Sequence, residues 1–337
     1  MTPTPVRLAL RRSLHEIRYT HAVPARQARG VVASVYRQLE REFGLLAPPI
    51  ALHSAAPAVL AAAWLMLRES LVAAGTATRA DKEAVATAIS AANACPYCVE
   101  VHSMTLDSLG QAVAEPLAAW ATGTLGSAPI DRDETELAEL VGVAVTFHYL
   151  NRMVNVFLGP SPLPARVPES ARPMVRKVLG RFLRPSAAPE PGQSLDLLPA
   201  VPIPPADLGW ARGNPTVRDA FARAGAALDV IPDHSVPESV RQLVLAELVG
   251  WDGTPMGLSR SWVAPLLAGL RRADRATARL ALLTAFSSAQ VDAGVIAEFR
   301  EHNPSDRALI EVTGWASLAA ARALGARIPL SGEARAA

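Results

Sequence analysis

Two cysteines stand in this 337-residue chain, Cys95 and Cys98, in C-x-x-C spacing. His102 follows the second by four residues and Glu83 precedes the first by twelve. A thiol reacts as its thiolate, so the first question is what lowers a thiol pKa here. Proline is tolerated at the first position of a helix and not in its interior, so Pro96 predicts a new helix with Cys95 as its N-cap. Cys98 then lies in the first turn, where unpaired N–H groups and the helix dipole favour negative charge. His102 falls one turn further along the same face, placed to take the thiol proton or to stabilise the thiolate. Such surroundings bring a cysteine from about 8.5 down to roughly 3.5–7.5. Cys95 is close enough to Cys98 for a disulfide across the turn. If the chain folds back at 94–96, Glu83 faces His102 and orients it, as a third group orients the base of other activated nucleophiles.

Two other readings compete. The cysteines can be plain core residues, or zinc ligands. Zinc takes four ligands, or three and a water. C-x2-C-x3-H supplies three, the chain has no second cysteine pair, and His53 or His148 would have to complete the set. The combination of spacings favours a redox dithiol over both.

The elements that must position these residues read as helices. Half of the residues are hydrophobic, with alanine and leucine dominant, and these lose little on entering a helix. An all-α fold is expected. Helical spacing predicts a helix over 30–43 closed by Gly44, then an extended stretch at Pro48 and Pro49. A helix N-capped by Ser54 with Pro57 in its first turn runs to about 75. Further helices are expected at 78–93, 96–109 closed by Gly110, 113–123 and 131–158. Residues 1–29 read as an arm whose Arg7, Arg11, Arg12 and Arg18 form a solvated face. From 160 to 206 proline recurs, which predicts a linker around one short basic helix at 171–183.

Periodicity resumes at 208–231, 237–250, 255–272, 274–290 and 305–324. This second half reads as a decayed copy of the first. A shift of 159 residues places Pro255 on Pro96, Gln242 on Glu83, Thr254 on Cys95, Gly257 on Cys98 and Ser261 on His102. A shift of 172 places Glu311 on Glu139 and Gly314 on Gly142. The hydrophobic pattern survives and the chemistry does not. The expected organisation is an active domain at 1–159, a linker at 160–206 and a degenerate repeat at 207–337.

Net charge is +2 with no long Lys/Arg run, so nothing asks for nucleic acid. The N-terminus lacks the apolar core of a secretory signal, and the longest apolar run, 55–67, is too short to cross a bilayer. The expectation is a cytoplasmic protein, in which C-x-x-C is catalytic or metal-binding rather than structural.

The spacing E-x11-C-x2-C-x3-H, on Glu83, Cys95, Cys98 and His102, resembles that of the AhpD-type alkylhydroperoxidases in the carboxymuconolactone decarboxylase superfamily. The resemblance extends over about 30–158, through YRQLEREFGLLAPP and FHYLNRM, and more weakly through PGQSLDLLP and the second half. FHYLNRM is similar to an F-N-x-x-N-R segment, with His148 at the first asparagine. Tyr97 stands where members of the family carry a histidine. The resemblance implies an AhpD-like helical bundle and a homo-oligomer. It makes Cys98 the peroxidatic thiol, Cys95 the resolving one, and Glu83 with His102 the proton relay. Lactone decarboxylases of the superfamily lack the cysteine pair, so that chemistry is disfavoured. The expected function is reduction of a hydroperoxide at the expense of an external dithiol, with no bound metal or flavin. A thiol–disulfide oxidoreductase and a non-enzymatic redox-sensing or assembly protein are the alternatives.

Overall fold

A computed structural model of the chain describes residues 13–124, 132–163, 167–183, 188–231 and 234–330. Most of the basic face expected on the N-terminal arm lies outside them. Every regular element among the described residues is helical. The first half contains α1 (Gly30–Gln38), α2 (Pro57–Leu67), α3 (Arg79–Ala92), α4 (Pro96–Ser108), α5 (Glu115–Ala121) and α6 (Glu134–Phe157). Helix α7 (Arg172–Leu183) lies in the proline-rich segment. The second half contains α8 (Pro215–Asp229), α9 (Glu238–Leu248), α10 (Arg272–Ser287), α11 (Ala293–Arg300) and α12 (Asp306–Gly325).

Local chemistry sets most helix boundaries. α1 continues through one wide turn, Leu39–Phe43, and Gly44 ends it at φ 88°, a left-handed conformation that glycine adopts without steric cost. Thr78 caps α3 by accepting from the Asp81 amide, and Asp133 caps α6 by accepting from Glu136. Two expectations near α2 change. Pro48 and Pro49 open a short helical turn, Pro48–Ala51, rather than an extended stretch. Ala56, not Ser54, caps α2; Ser54 is buried and its hydroxyl accepts from the Val23 amide at 2.8 Å.

Two helices form the centre. α2 is buried from Val59 to Leu67 and has no polar face, the pattern of a helix surrounded by others. α6 is buried along most of its length and packs against α3 on one side and α12 on another. The entry to α3 is fixed from α6: the Glu139 carboxylate accepts from the Thr76 and Ala77 amides and pairs with Lys82 at 2.9 Å. The proline-rich segment runs over the first half. The Pro189 and Glu190 carbonyls accept from the Ala74 amide and Arg68, and the Gly192 amide donates to Glu69. α7 docks on α4, where Arg176 pairs with Glu100 at 2.9 Å.

The second half joins the same hydrophobic core. α12 lies along α6 and α8 packs on α2. At Gly325 of α12 a Cβ would fall 2.3 Å from Cγ2 of Val145 on α6. Valine is stiff at χ1 and cannot turn aside. Gly325→Ala is therefore expected to destabilise the protein by about 1–3 kcal/mol through overpacking, more than the helix-propensity gain returns. A lower denaturation midpoint at unchanged m-value is the measurement.

Two expectations for the second half are corrected. Pro255 opens no helix: Gly253 and Gly257 sit at positive φ (93° and 88°), Val249 and Leu258 are exposed, and only Val263–Leu267 is α-helical there. The stretch is held in this non-helical form by single contacts, such as the Gly257 carbonyl accepting from Gln290 Nε2 at 2.7 Å. Conversely, α11 forms in a segment with no predicted helix, because Asp292 caps it by accepting from the Gly294 and Val295 amides.

Candidate active site

The helical hairpin α3–α4 carries the four residues singled out by spacing, and a Schellman motif makes its bend. Ala94 adopts φ 49°, its amide donates to Ala91, and the Cys95 amide donates back to Ser90 at 2.9 Å. Glycine is the usual residue at such a position, and the left-handed alanine stores strain on the order of 1 kcal/mol. The bend turns Cys95 over the end of α3, where it serves as N-cap of α4 with Pro96 at the first helical position.

The hairpin brings all four residues to the same region of the core. The Cys95 and Cys98 sulfurs lie 2.9 Å apart as free thiols, 0% and 4% exposed. His102 Nδ1 is 2.6 Å from Glu83 Oε2, and the imidazole rests edge-on against Phe147 at 4.5 Å. Glu83 Oε1 accepts from Arg79 at 2.7 Å. Burial on its own would raise the Glu83 carboxyl, but the charges and hydrogen bonds of Arg79 and His102 outweigh it and hold the group below its usual range. An ionised Glu83 orients the ring with Nδ1–H toward the carboxylate, which leaves Nε2 free to accept a proton.

One expectation reverses. The helix start and His102 were expected to lower the Cys98 thiol, but burial pushes it up, and the contact with Cys95 adds to that. Glu83 holds His102 through Nδ1. Tyr97 between the cysteines is also buried, which raises its hydroxyl above the ordinary tyrosine range.

The two histidines considered as further zinc ligands each have Nδ1 in another contact. His53 Nδ1 contacts the Ile50 carbonyl and its ring stacks on Tyr149. His148 Nδ1 lies 3.1 Å from Asn93 Nδ2. Among the described residues no group of three or more His, Cys, Asp or Glu side chains is arranged to hold a metal ion. No described helix is long and apolar enough to cross a membrane.

Residues that spacing alone did not mark reach the hairpin from α6: Phe147 touches His102, and His148 and Asn151 touch Asn93. Phe147, His148 and Asn151 recur at helical spacing on the side facing α3 and α4. Asn151 bonds Ser90 and Asn93, and Arg152 reaches the Asn93 side chain at 3.4 Å. The FHYLNRM segment was the available signal, but it gave no roles.

The fold and the site define an all-helical protein built round a buried dithiol beside a carboxylate–histidine pair. The model of the carboxymuconolactone decarboxylase family matches residues 58–130, which include the whole hairpin. The chain is also 35% identical, over an alignment covering 94% of it and 96% of the relative, to a protein named alkyl hydroperoxide reductase from Mycobacterium tuberculosis. The chain belongs to the carboxymuconolactone decarboxylase family.

Proposed function

We propose that this protein is a dithiol-dependent hydroperoxide reductase in which Cys98 attacks, Cys95 resolves and Glu83 with His102 moves the proton. The observation that carries this reading is the thiol pair, 2.9 Å apart, beside a histidine oriented by an ionised carboxylate. The name of the Mycobacterium tuberculosis relative agrees with it.

In the first step His102 Nε2 accepts the Cys98 proton and the sulfur attacks the terminal peroxide oxygen. The O–O bond breaks, the alkoxide leaves with the proton returned by His102, and Cys98 becomes a sulfenic acid. In the second step Cys95 attacks the Cys98 sulfur. The S–O bond breaks, hydroxide leaves with the Cys95 proton as water, and a disulfide remains. An external dithiol then reduces the disulfide and is itself oxidised. Near-complete burial of both sulfurs suits a small peroxide and a slender dithiol better than the disulfide of a folded protein partner.

The test is a single turnover of the reduced protein with one equivalent of an organic hydroperoxide. The expected result is loss of both thiols, a Cys95–Cys98 disulfide by peptide mass spectrometry, and one equivalent of alcohol. Because burial raises the Cys98 thiol, less of it is ionised at neutral pH, and the rate of this step is expected to rise with pH into the alkaline range. Alcohol release without disulfide, or no reaction at any pH, would overturn the reading.

A further inference from the structure

Glu83 is 1% exposed, and its carboxylate is divided between two partners. Oε2 meets His102 Nδ1 at 2.6 Å, and Oε1 faces Arg79, whose Nε and Nη2 each lie 2.7 Å from it. Arg79 Nη1 donates to the Leu71 carbonyl at 3.3 Å, so the guanidinium is held from the turn before α3 as well as by the carboxylate. The other charged groups at this end of α3 have partners of their own. Lys82 pairs with Glu139 of α6 at 2.9 Å, Asp81 pairs with Arg132 at 3.0 Å, and Glu69 pairs with Arg68. Helix α5, packed on α3, buries Leu117, Trp120 and Ala121 and no charge.

Arg79 stands where the helix itself would prefer an acid. It is the first residue of α3, and the macrodipole there opposes a cation. Ion pairs at this spacing also favour the carboxylate on the N-terminal side, the reverse of Arg79 and Glu83. Helix stability therefore does not account for the arginine, but the buried carboxylate does. A carboxylate out of water with no cation beside it takes up a proton instead of staying charged. Next to His102 that proton can sit on the carboxyl or on the imidazole, and both positions end the relay. A neutral carboxyl no longer orients Nδ1–H, and an imidazolium has no free Nε2.

We infer that Arg79 is a positioning residue of the proton relay, the fixed cation that keeps the Glu83–His102 pair from binding a proton of its own. With Arg79 in place one guanidinium and one carboxylate cancel, and the imidazole keeps Nε2 open to the Cys98 proton. The four residues marked by spacing become five, with Arg79 outermost: its side chain is 19% exposed against 1% for Glu83. Its part in catalysis rests on the proposed attack by Cys98, whereas the charge balance does not.

The experiment titrates the reduced protein by nitrogen NMR of labelled histidine, with the His102 signals identified by their loss in His102→Gln. No peroxide enters it, so it decides the role of Arg79 separately from the proposed substrate. In Arg79→Met the pair is expected to take up its proton about one pH unit higher than in the parent. That is roughly tenfold more of the protonated pair at a fixed pH above the midpoint. Arg79→Lys keeps the charge and is expected to titrate near its parent. Alcohol release in the first turnover is expected to follow: about tenfold slower in Arg79→Met at a pH below both midpoints, closing on the parent as the pH rises. A folded Arg79→Met protein whose His102 signals titrate with the parent's overturns the inference. So does a rate gap as wide at alkaline pH as at acid, which marks a loss of shape rather than of charge. If Arg79→Met does not fold, Arg79→Gln, which keeps a donor and drops the charge, carries the same outcomes.

Discussion

Cys98→Ser is expected to reduce dithiol-dependent peroxide turnover to the rate of dithiol and peroxide alone. A serine oxygen attacking the peroxide would only exchange one O–O bond for another, and no second sulfur remains for Cys95 to pair with, so neither the sulfenic acid nor the disulfide can form. Cys95→Ser is expected to behave differently. Its Cys98 still attacks, so one equivalent of alcohol forms and a sulfenic acid accumulates that a carbon nucleophile can trap. Without Cys95 the turn cannot close into a disulfide, and steady-state turnover falls to whatever rate the external dithiol attacks the sulfenic acid directly. Glu83→Gln falls between these cases. It keeps the shape but removes the charge that orients His102, and a general base that has lost its orienting charge costs about 10²–10⁴-fold. Steady-state turnover of the three variants, with alcohol measured in the first turnover, checks the ranking. Undiminished turnover in Cys98→Ser would remove the thiol from the mechanism altogether.

What the sequence made legible, and what it did not, divides along physical lines. Helix starts and stops governed by one or two residues were readable: Thr78, Pro96, Gly44 and Gly110 all lie at the boundaries that their chemistry dictates. The meeting of Glu83 with His102 was readable too, because it follows from two helices joined by a short bend. The direction of the Cys98 pKa was not. It depends on how completely other elements cover the sulfur, and a helix start seen in isolation points the wrong way. The left-handed turn at Ala94 was hidden because no glycine marks it. Pro255 in the second half shows the same limit. The helix-opening residue is present, but Gly253 and Gly257 on either side of it take positive φ and keep the backbone out of a helix.

Residues 1–206, expressed without the second half, are expected to self-associate or to lose their fold. In the whole chain the two halves meet through reciprocal contacts. A Cβ on Gly142 of α6 would lie 3.2 Å from Val217 of α8, and a Cβ on Gly314 of α12 would lie 3.0 Å from Val59 of α2. The two long helices match at these positions by the offset of 172 that also pairs Glu139 with Glu311. Glu139 grips the Thr76–Ala77 entry to α3, and Glu311 grips His234 and Ser235 before α9. Contacts in which each half presents the same two surfaces to the other are the signature of a two-fold interface. We propose on these grounds that the second half is a degenerate repeat occupying the place of a second subunit, as the sequence shifts suggested. Removing it strips cover from Gly142, Val145 and Tyr149 on α6 and from Val59 on α2, a contiguous apolar surface of the kind that drives association. It also removes Ala285, Ser288 and Trp251 from Arg152 and Asn155, so the thiol site loses its support together with the core. Light scattering coupled to gel filtration, with circular dichroism on the same fractions, gives the answer. A folded, monomeric 1–206 fragment would sink the two-fold reading, whereas a dimer re-forming the covered face would show a second copy of the first half substituting for its decayed relative.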